Sequence, residues 1–192
     1  MTTVKEEGPA PDWNIDLENI IKKQGEQAQT FYWLHNESSQ WASWRNNTIQ
    51  IPSIILASVT GFLSATSNIL PPVATGGLSL LVGILNTINS YYKYSQRSEG
   101  HRMVALMYLK LYKNIEIELS LPIHQRTDAG KLLSGMRDKL SRILEVAPPI
   151  PKGIINKYKN TFKNHDTSLP ILIVGPEKIN ICRIEAPKVI EV

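Results

Sequence analysis

The clearest pattern in the chain is a central stretch, Asn46–Tyr92, that contains no Asp, Glu, Lys, Arg or His. Pro71 and Pro72 divide it near the middle into two apolar halves. A membrane-spanning helix needs about 20 mostly apolar residues, and each half approaches that length. Because lipid offers no partner to backbone N–H and C=O groups, each half should be an α-helix. The pattern predicts a membrane-embedded two-helix hairpin with spans at about 48–67 and 72–92.

Aromatic and basic side chains lie at both outer ends of the predicted hairpin. Tryptophan and tyrosine rings prefer the headgroup region, where one end of the ring is apolar and the other is wet. A hairpin brings its outer ends to one membrane face, so the two groups should share a level. The predicted membrane-interface residues are Trp41, Trp44, Arg45, Tyr91, Tyr92, Lys93 and Arg97. The alternative is a hairpin buried in a soluble core, where helices that are apolar all round also occur.

Small residues recur at every fourth position in both spans. Such faces let helices approach closely in lipid, where packing and hydrogen bonds drive association. They pack the hairpin against itself or contact other copies of the chain, and the sequence leaves both interpretations open. The predicted helix-packing residues are Ser53, Ala57, Gly61 and Ala65 in the first span and Thr75, Ser79, Gly83 and Thr87 in the second. If the second span lined a pore, its wet residues would be Thr75, Ser79, Asn86 and Asn89.

The flanks of the hairpin predict a mainly α-helical protein. Residues 1–14 have too little apolar surface to fold alone and are predicted to form a flexible tail. Apolar residues at helical spacing predict a long N-terminal helix that begins near Ile15, after a cap at Asp12 or Asp16, and merges with the first span. Three further helices are expected to form a C-terminal helical bundle: Ser95–Leu121, a helix capped by Thr127 or Asp128, and Lys152–Asn164. The inner side of the second of these helices is predicted to consist of Leu132, Leu133, Met136, Leu140, Ile143 and Leu144. Residues 15–165 would thus form one two-transmembrane domain.

The last part of the chain, residues 166–192, is predicted to be a C-terminal extension with a small β-hairpin. Ile171–Val174 and Ile179–Ile184 are rich in β-branched residues and flank a turn that begins with Gly175 and Pro176. An isolated hairpin is marginal in water. We therefore expect it to dock on the chain's own helices, on another subunit or on another protein.

Charge sets the expected orientation and partners. The net charge of +4 is concentrated after Tyr92, and the segment before the hairpin is acidic. The positive-inside tendency then predicts both termini on the cytosolic side of a multi-pass protein. The basic group at Lys152, Lys157, Lys159 and Lys163 lacks aromatic neighbours suited to stacking bases, which favours a lipid surface over nucleic acid. Cys182 is the only cysteine, so no intrachain disulfide can form.

Sequence motifs for catalysis are absent. The chain has no Gly-rich phosphate loop, no nucleophile elbow and no two-His zinc motif. Its histidines, His35, His101, His124 and His165, are scattered and are expected to be structural or solvated. We predict no enzymatic activity, no catalytic residue, no metal and no cofactor.

The order of these features resembles one family. An aromatic-rich helix ends at Trp41-Ala-Ser-Trp-Arg45, a two-span hairpin follows, Glu99-Gly-His101 opens a helix with Tyr108 and Leu109, and Ala147-Pro-Pro-Ile-Pro151 closes the next one. This layout looks like the SLATT domain, a two-transmembrane effector domain of nucleotide-second-messenger conflict systems, also found in large DNA viruses. The resemblance covers about Ile15–Asn164 and implies a non-enzymatic membrane protein that assembles into pores.

Two functional classes follow. The first is a self-associating, SLATT-like membrane effector or pore-type module whose partners are the lipid bilayer and other copies of the chain. The second is a structural membrane anchor. In that case the protein would be a minor capsid or inner-membrane protein of a large DNA virus, located in the virion inner membrane, and would link it to capsid or other shell proteins.

Overall fold

The computed structural model describes residues 12–65, 71–162 and 168–175. Within these ranges the chain is helical and contains no strand, which confirms the mainly α class. The helices are α1 Ile15–Ala65, α2 Pro72–Tyr92, α3 Tyr94–Ser120, α4 Ala129–Val146, α5 Lys152–Thr161 and α6 Ile171–Val174, with a 3-10 turn at Ile123–Gln125. Of the predicted N-terminal tail, only residues 12–14 are described, and they have no regular structure.

Helix α1 joins the polar N-terminal part of the chain to the apolar stretch without a break. It contains 51 residues, so it is about 77 Å long at 1.5 Å per residue. The predicted merger of the N-terminal helix with the first span is therefore confirmed. The cap is Asn14 rather than Asp12 or Asp16: its Oδ1 accepts a hydrogen bond from the N–H of Leu17 at 2.7 Å.

Helices α2 and α3 return alongside α1 and pack against it. A single residue, Lys93, separates them in the left-handed conformation with φ 50°. Its N–H donates to the carbonyl of Asn89 and its carbonyl accepts from the N–H of Arg97, both at 3.0 Å. These bonds carry the hydrogen-bond ladder across the junction, so α2 continues into α3 with only a local break.

The main core lies outside the apolar hairpin, where the first half of α1 packs against α3 and α4. Its buried members are Leu17, Ile21, Ala28, Val104, Tyr108, Leu111, Ile115, Ala129, Met136 and Ile143. Burying one large aliphatic side chain contributes about 1.5–3 kcal/mol. Gly25 also belongs to this contact, because a Cβ there would lie 3.0 Å from Cγ2 of Ile115.

Helix α4 confirms one prediction and corrects another. The carboxylate of Asp128 accepts from the N–H of Lys131 at 2.9 Å and caps the helix as expected. Leu144, expected inside with its neighbours, is 68% exposed. Because Ile143 points into the core, the residue one position later is turned about 100° away from it.

A second cluster holds the last helices against α1. Its buried members are Leu34, Ile154, Tyr158 and Ile173, with Trp33, Trp41 and Phe162 packed around them. The predicted first strand, Ile171–Val174, is wrong, since this segment is a helical turn that follows Pro170. Pro170 lacks an N–H and fixes φ, which suits a helix start, and the turn places Ile173 in the cluster. The predicted second strand, Ile179–Ile184, lies outside the described residues, as does the end of the predicted 152–164 helix.

Two helical stretches are long and apolar enough to cross a membrane, one in α1 and one that begins with α2. No residue of α2 is buried in the chain, and large side chains such as Ile54, Phe62, Leu80 and Ile84 are exposed on the hairpin. A hairpin buried in a soluble core would be covered by the rest of the chain. The structure therefore does not support that alternative.

Candidate membrane interface and helical hairpin

The two aromatic groups predicted at the membrane boundary lie together. The ring of Trp41 on α1 meets the ring of Tyr94 on α3 edge to face at a centroid distance of 6.0 Å. Tyr92 stacks on Tyr94 at 5.3 Å, and Tyr91 meets Tyr92 at 5.2 Å. One continuous aromatic group therefore joins the outer end of the first span to the α2–α3 junction.

Basic side chains surround this aromatic group. The guanidinium of Arg45 lies 5.5 Å from the ring centre of Trp41 and 5.6 Å from that of Trp44, within cation–π range. Lys93 and Arg97 line an adjacent cavity of about 280 Å³ that also contains Tyr91. Exposed aromatic rings beside cations are the arrangement found at membrane–water interfaces.

The contact between α1 and α2 has a polar centre. Ser53, which is only 2% exposed, donates its hydroxyl to the side-chain oxygen of Asn86 at 2.8 Å. Thr60, two turns further along α1, is also buried. Leu56 and Leu63 on α1 are half-buried, as are Leu78, Val82, Leu85 and Asn89 on α2. The helices thus meet through serine, threonine, asparagine and leucine side chains.

Most of the predicted small-residue faces point away from this contact. Ala57, Gly61 and Ala65 are exposed on α1, and Ser79, Gly83 and Thr87 are exposed on α2; Thr75 is half-buried, and only Ser53 is buried. A Cβ added at Gly61 or Gly83 would meet no atom within 4 Å. Apart from Ser53 and Thr75, these residues do not pack the hairpin against itself in the single chain.

Two of the four residues proposed to wet a pore are hydrogen-bonded within the chain, and the side-chain oxygen of a third is buried. Thr75 donates its hydroxyl to the carbonyl of Pro72 at 3.0 Å, whereas Ser79 is exposed. Asn86 is held by Ser53, and the side-chain oxygen of Asn89 is buried without a hydrogen-bond partner among the described residues. A single hairpin therefore offers little free polar surface for a pore lining.

A buried histidine pair lies on the side of the aromatic group away from the hairpin, and sequence reasoning missed it. Nδ1 of His35 on α1 lies 3.0 Å from Nδ1 of His101 on α3, and both side chains are buried. Burial, followed by the neighbouring imidazole of His101, lowers the pKa of His35 to about 4. Burial and then the charge of Arg97 lower the pKa of His101 as well.

Neighbouring contacts explain why this pair is so well enclosed. The ring of Tyr108 stacks on His35 at 5.8 Å, and burial raises the pKa of Tyr108 to about 12. Ser39 donates its hydroxyl to the carbonyl of Ser98, and Ser98 donates its hydroxyl to the carbonyl of Ser39, at 2.9 and 3.0 Å. The sequence could have revealed the pair through the antiparallel register of α1 and α3. When Trp41 is placed opposite Tyr94, His35 also lies opposite His101.

Within the described residues, no group of three or more His, Cys, Asp or Glu side chains is arranged to hold a metal ion. Comparison of the chain with protein-family models, with curated proteins and with solved structures gives no match.

Proposed function

We propose that this protein is an integral membrane protein whose α1–α2 hairpin crosses the bilayer twice, with both termini on the cytosolic side, and self-associates as a SLATT-like membrane effector without enzymatic activity. The observation that carries the proposal is the outward orientation of the hairpin's apolar and small residues. Lipid covers the large side chains, and close helix contact needs the small ones.

Self-association is supported by the open space beside the two glycines. Gly61 and Gly83 present bare backbone to the outside of the hairpin. Because lipid tails are as apolar as leucine, helices gain little by hiding leucine from lipid but gain packing contacts where backbones approach closely. Another copy of the chain is the partner that suits a small-residue face on each span.

A pore in this proposal forms between copies rather than inside one hairpin. Neither span carries Asp, Glu, Lys, Arg or His, so charge selectivity would come from Arg45, Lys93 and Arg97 at the mouth. Basic rings at a pore mouth favour anions. We therefore expect a weak anion preference.

Planar bilayers containing the purified full chain test this function. We expect a measurable conductance with weak anion preference, and its loss in Gly61→Leu and Gly83→Leu. Gly135→Leu is a matched control, because Gly135 lies on α4 and also has open space beside it. An inserted full chain that passes no current would contradict the effector function.

A membrane anchor that links a membrane to a protein shell is the second candidate, and the surface of α6 favours it. Ile171, Leu172 and Val174 are all more than half exposed around the docked Ile173. This small apolar surface is presented by the soluble part of the chain and suits a protein partner, such as a capsid or other shell protein.

Deletion of Leu169–Val192 separates the two candidates. An anchor should lose its shell partner in co-sedimentation while still inserting into membranes. An effector should keep its conductance, since the deletion leaves both spans intact. Retained partner binding together with conductance of the full chain would contradict the anchor function.

A further inference from the structure

A second cavity lies between α3 and α4, far from the hairpin. Its volume is about 310 Å³, at the lower end of the range of about 300–1,000 Å³ for small-molecule sites. Lys110 and Asn114 come from α3, and Lys139 and Arg142 come from α4. The cavity therefore exists only while α4 is docked.

The cations of this cavity have no carboxylate partner among the described residues. Some cations outside the cavity form ion pairs, as Arg126 does with Glu18 and Arg102 with Glu99. No acidic residue lies three or four positions from Lys110 or Lys139 on its own helix, and Asp138 and Glu145, on either side of Arg142 along α4, do not line the cavity. Three cations that line one cavity repel each other, and an anion between them would relieve that repulsion.

The floor of the cavity is apolar. Leu111 and Ile143 are each 1% exposed, and Met107 is half-buried beside them. Asn114 lies one helical turn after Lys110 and adds an amide that can donate and accept hydrogen bonds. A ligand that matches all of these groups has a charged end and an apolar body.

In the proposed membrane orientation, on which this step rests, the cavity lies too far from the bilayer for an embedded lipid headgroup. Lys110 follows the boundary residue Lys93 by 17 positions along α3, or about 26 Å at 1.5 Å per residue. The headgroup layer on one side of a bilayer is only about 5–8 Å thick. The occupant must therefore be soluble.

We propose that the α3–α4 cavity binds a soluble phosphate monoester, with the phosphate among Lys110, Lys139 and Arg142 and an apolar or aromatic body on the Leu111–Ile143 floor. A phosphate monoester carries a charge of about −1.5 to −2 at pH 7. It balances three cations better than a single carboxylate does, and the arginine fork pairs with it in bidentate geometry.

Ligand binding would stabilise the docking of α4 on α3. The phosphate contacts both α3 and α4, and a ligand that binds only the docked arrangement stabilises it in proportion to its concentration. The site thus gives the soluble part of the protein a means to sense a soluble anion, whether or not the hairpin forms a pore.

Methionine-methyl NMR of the full chain in detergent micelles tests this site with phenyl phosphate as the probe. The methyl group of Met107 lines the cavity, whereas Met103, one turn earlier on α3, is exposed and does not line it. Phenyl phosphate should shift the Met107 signal and leave that of Met103 unchanged. It should bind at least tenfold more tightly than phenol or inorganic phosphate. Phenol lacks the phosphate that the cations bind, and inorganic phosphate lacks the aromatic ring that contacts the apolar floor.

Charge variants complete the test. K139Q/R142Q should weaken phenyl phosphate binding at least tenfold, with the signal of buried Met136 reporting that α4 remains docked. The control K152Q/K159Q removes two exposed cations of α5 outside the cavity and should bind as the native chain does. An unshifted Met107 signal, equal binding of phenol, or unchanged affinity in K139Q/R142Q would overturn the proposal.

Discussion

At the scale of single residues, burial determines the protonation state of the His35–His101 pair. With Nδ1 atoms 3.0 Å apart, one neutral ring donates and the other accepts, and protonation of both rings would abolish that bond. Tyr108 covers the pair on one side, and the guanidinium of Arg97 adds a positive charge that also disfavours protonation. The exposed pair of Glu99 and Arg102 lies on α3 beside it. The pair is therefore neutral in the folded protein at pH 7.

Acidification should destabilise the soluble part through this pair. The pKa of His35 is about 4 when folded and 6.5 in an open chain, so the unfolded state binds the proton first. The stabilisation is complete above pH 6.5 and is lost as the pH falls from 6.5 through 4. We expect a loss of about 2 kcal/mol between pH 7 and pH 5, measured by denaturant unfolding of the full chain in micelles.

The control for this effect replaces His124, which is exposed on the turn before α4. H124N should keep the pH dependence, whereas the double variant H35L/H101L should lose most of it. The same slope in H35L/H101L and in the native chain would show that other groups are responsible.

Gly25 should be intolerant of a side chain, although it lies inside a helix. A Cβ there would lie 3.0 Å from Cγ2 of buried Ile115, and overpacking a core costs about 1–3 kcal/mol. Gly25→Ala should therefore lower the free energy of unfolding despite a propensity gain of up to about 1 kcal/mol. Gly135→Ala, where space is open, should stabilise α4. Equal stabilisation by both changes would contradict the close packing at Gly25.

At the scale of helices, the sequence predicts what depends on local pattern and misses what depends on partners. Charge-free composition sets the bounds of α2, and Asp128 caps α4 as expected. The four-residue spacing of small residues does not say which face of α1 meets α2. That choice depends on Ser53 finding Asn86 on another helix. Likewise, the β-branched Ile171–Val174 segment is helical because Ile173 docks in a cluster built from distant residues.

The small-residue faces provide a prediction about helix association. Gly61→Leu and Gly83→Leu place large side chains where the single chain has room, so the hairpin should still form. Contacts between copies should be lost, because a large side chain prevents close approach. Crosslinking of the full chain in native membrane should show at least a severalfold loss of oligomer. Leu63→Ala, on the side that faces α2, should retain it, and unchanged crosslinking in both glycine variants would contradict this assignment.

At the scale of the whole molecule, one antiparallel pair of long helices connects the apolar hairpin to the packed core. The first half of α1 contributes to both hydrophobic clusters, and α3 contributes to the first of them. In the proposed orientation, the contact of Trp41 with Tyr94 lies at the membrane boundary. The proposed two-span hairpin predicts that position 68 is exposed on the opposite side of the membrane from α3, α4 and α5.

Two-sided cysteine labelling tests this arrangement most directly. In a Cys182→Ser background, single cysteines replace Asn68, between the spans, and Lys113, on the exposed face of α3. A membrane-impermeant maleimide added outside sealed vesicles should label only one of the two positions. In vesicles of the opposite orientation, the same reagent should label only the other position. Labelling of both positions from the same side of the membrane would contradict the two-span hairpin.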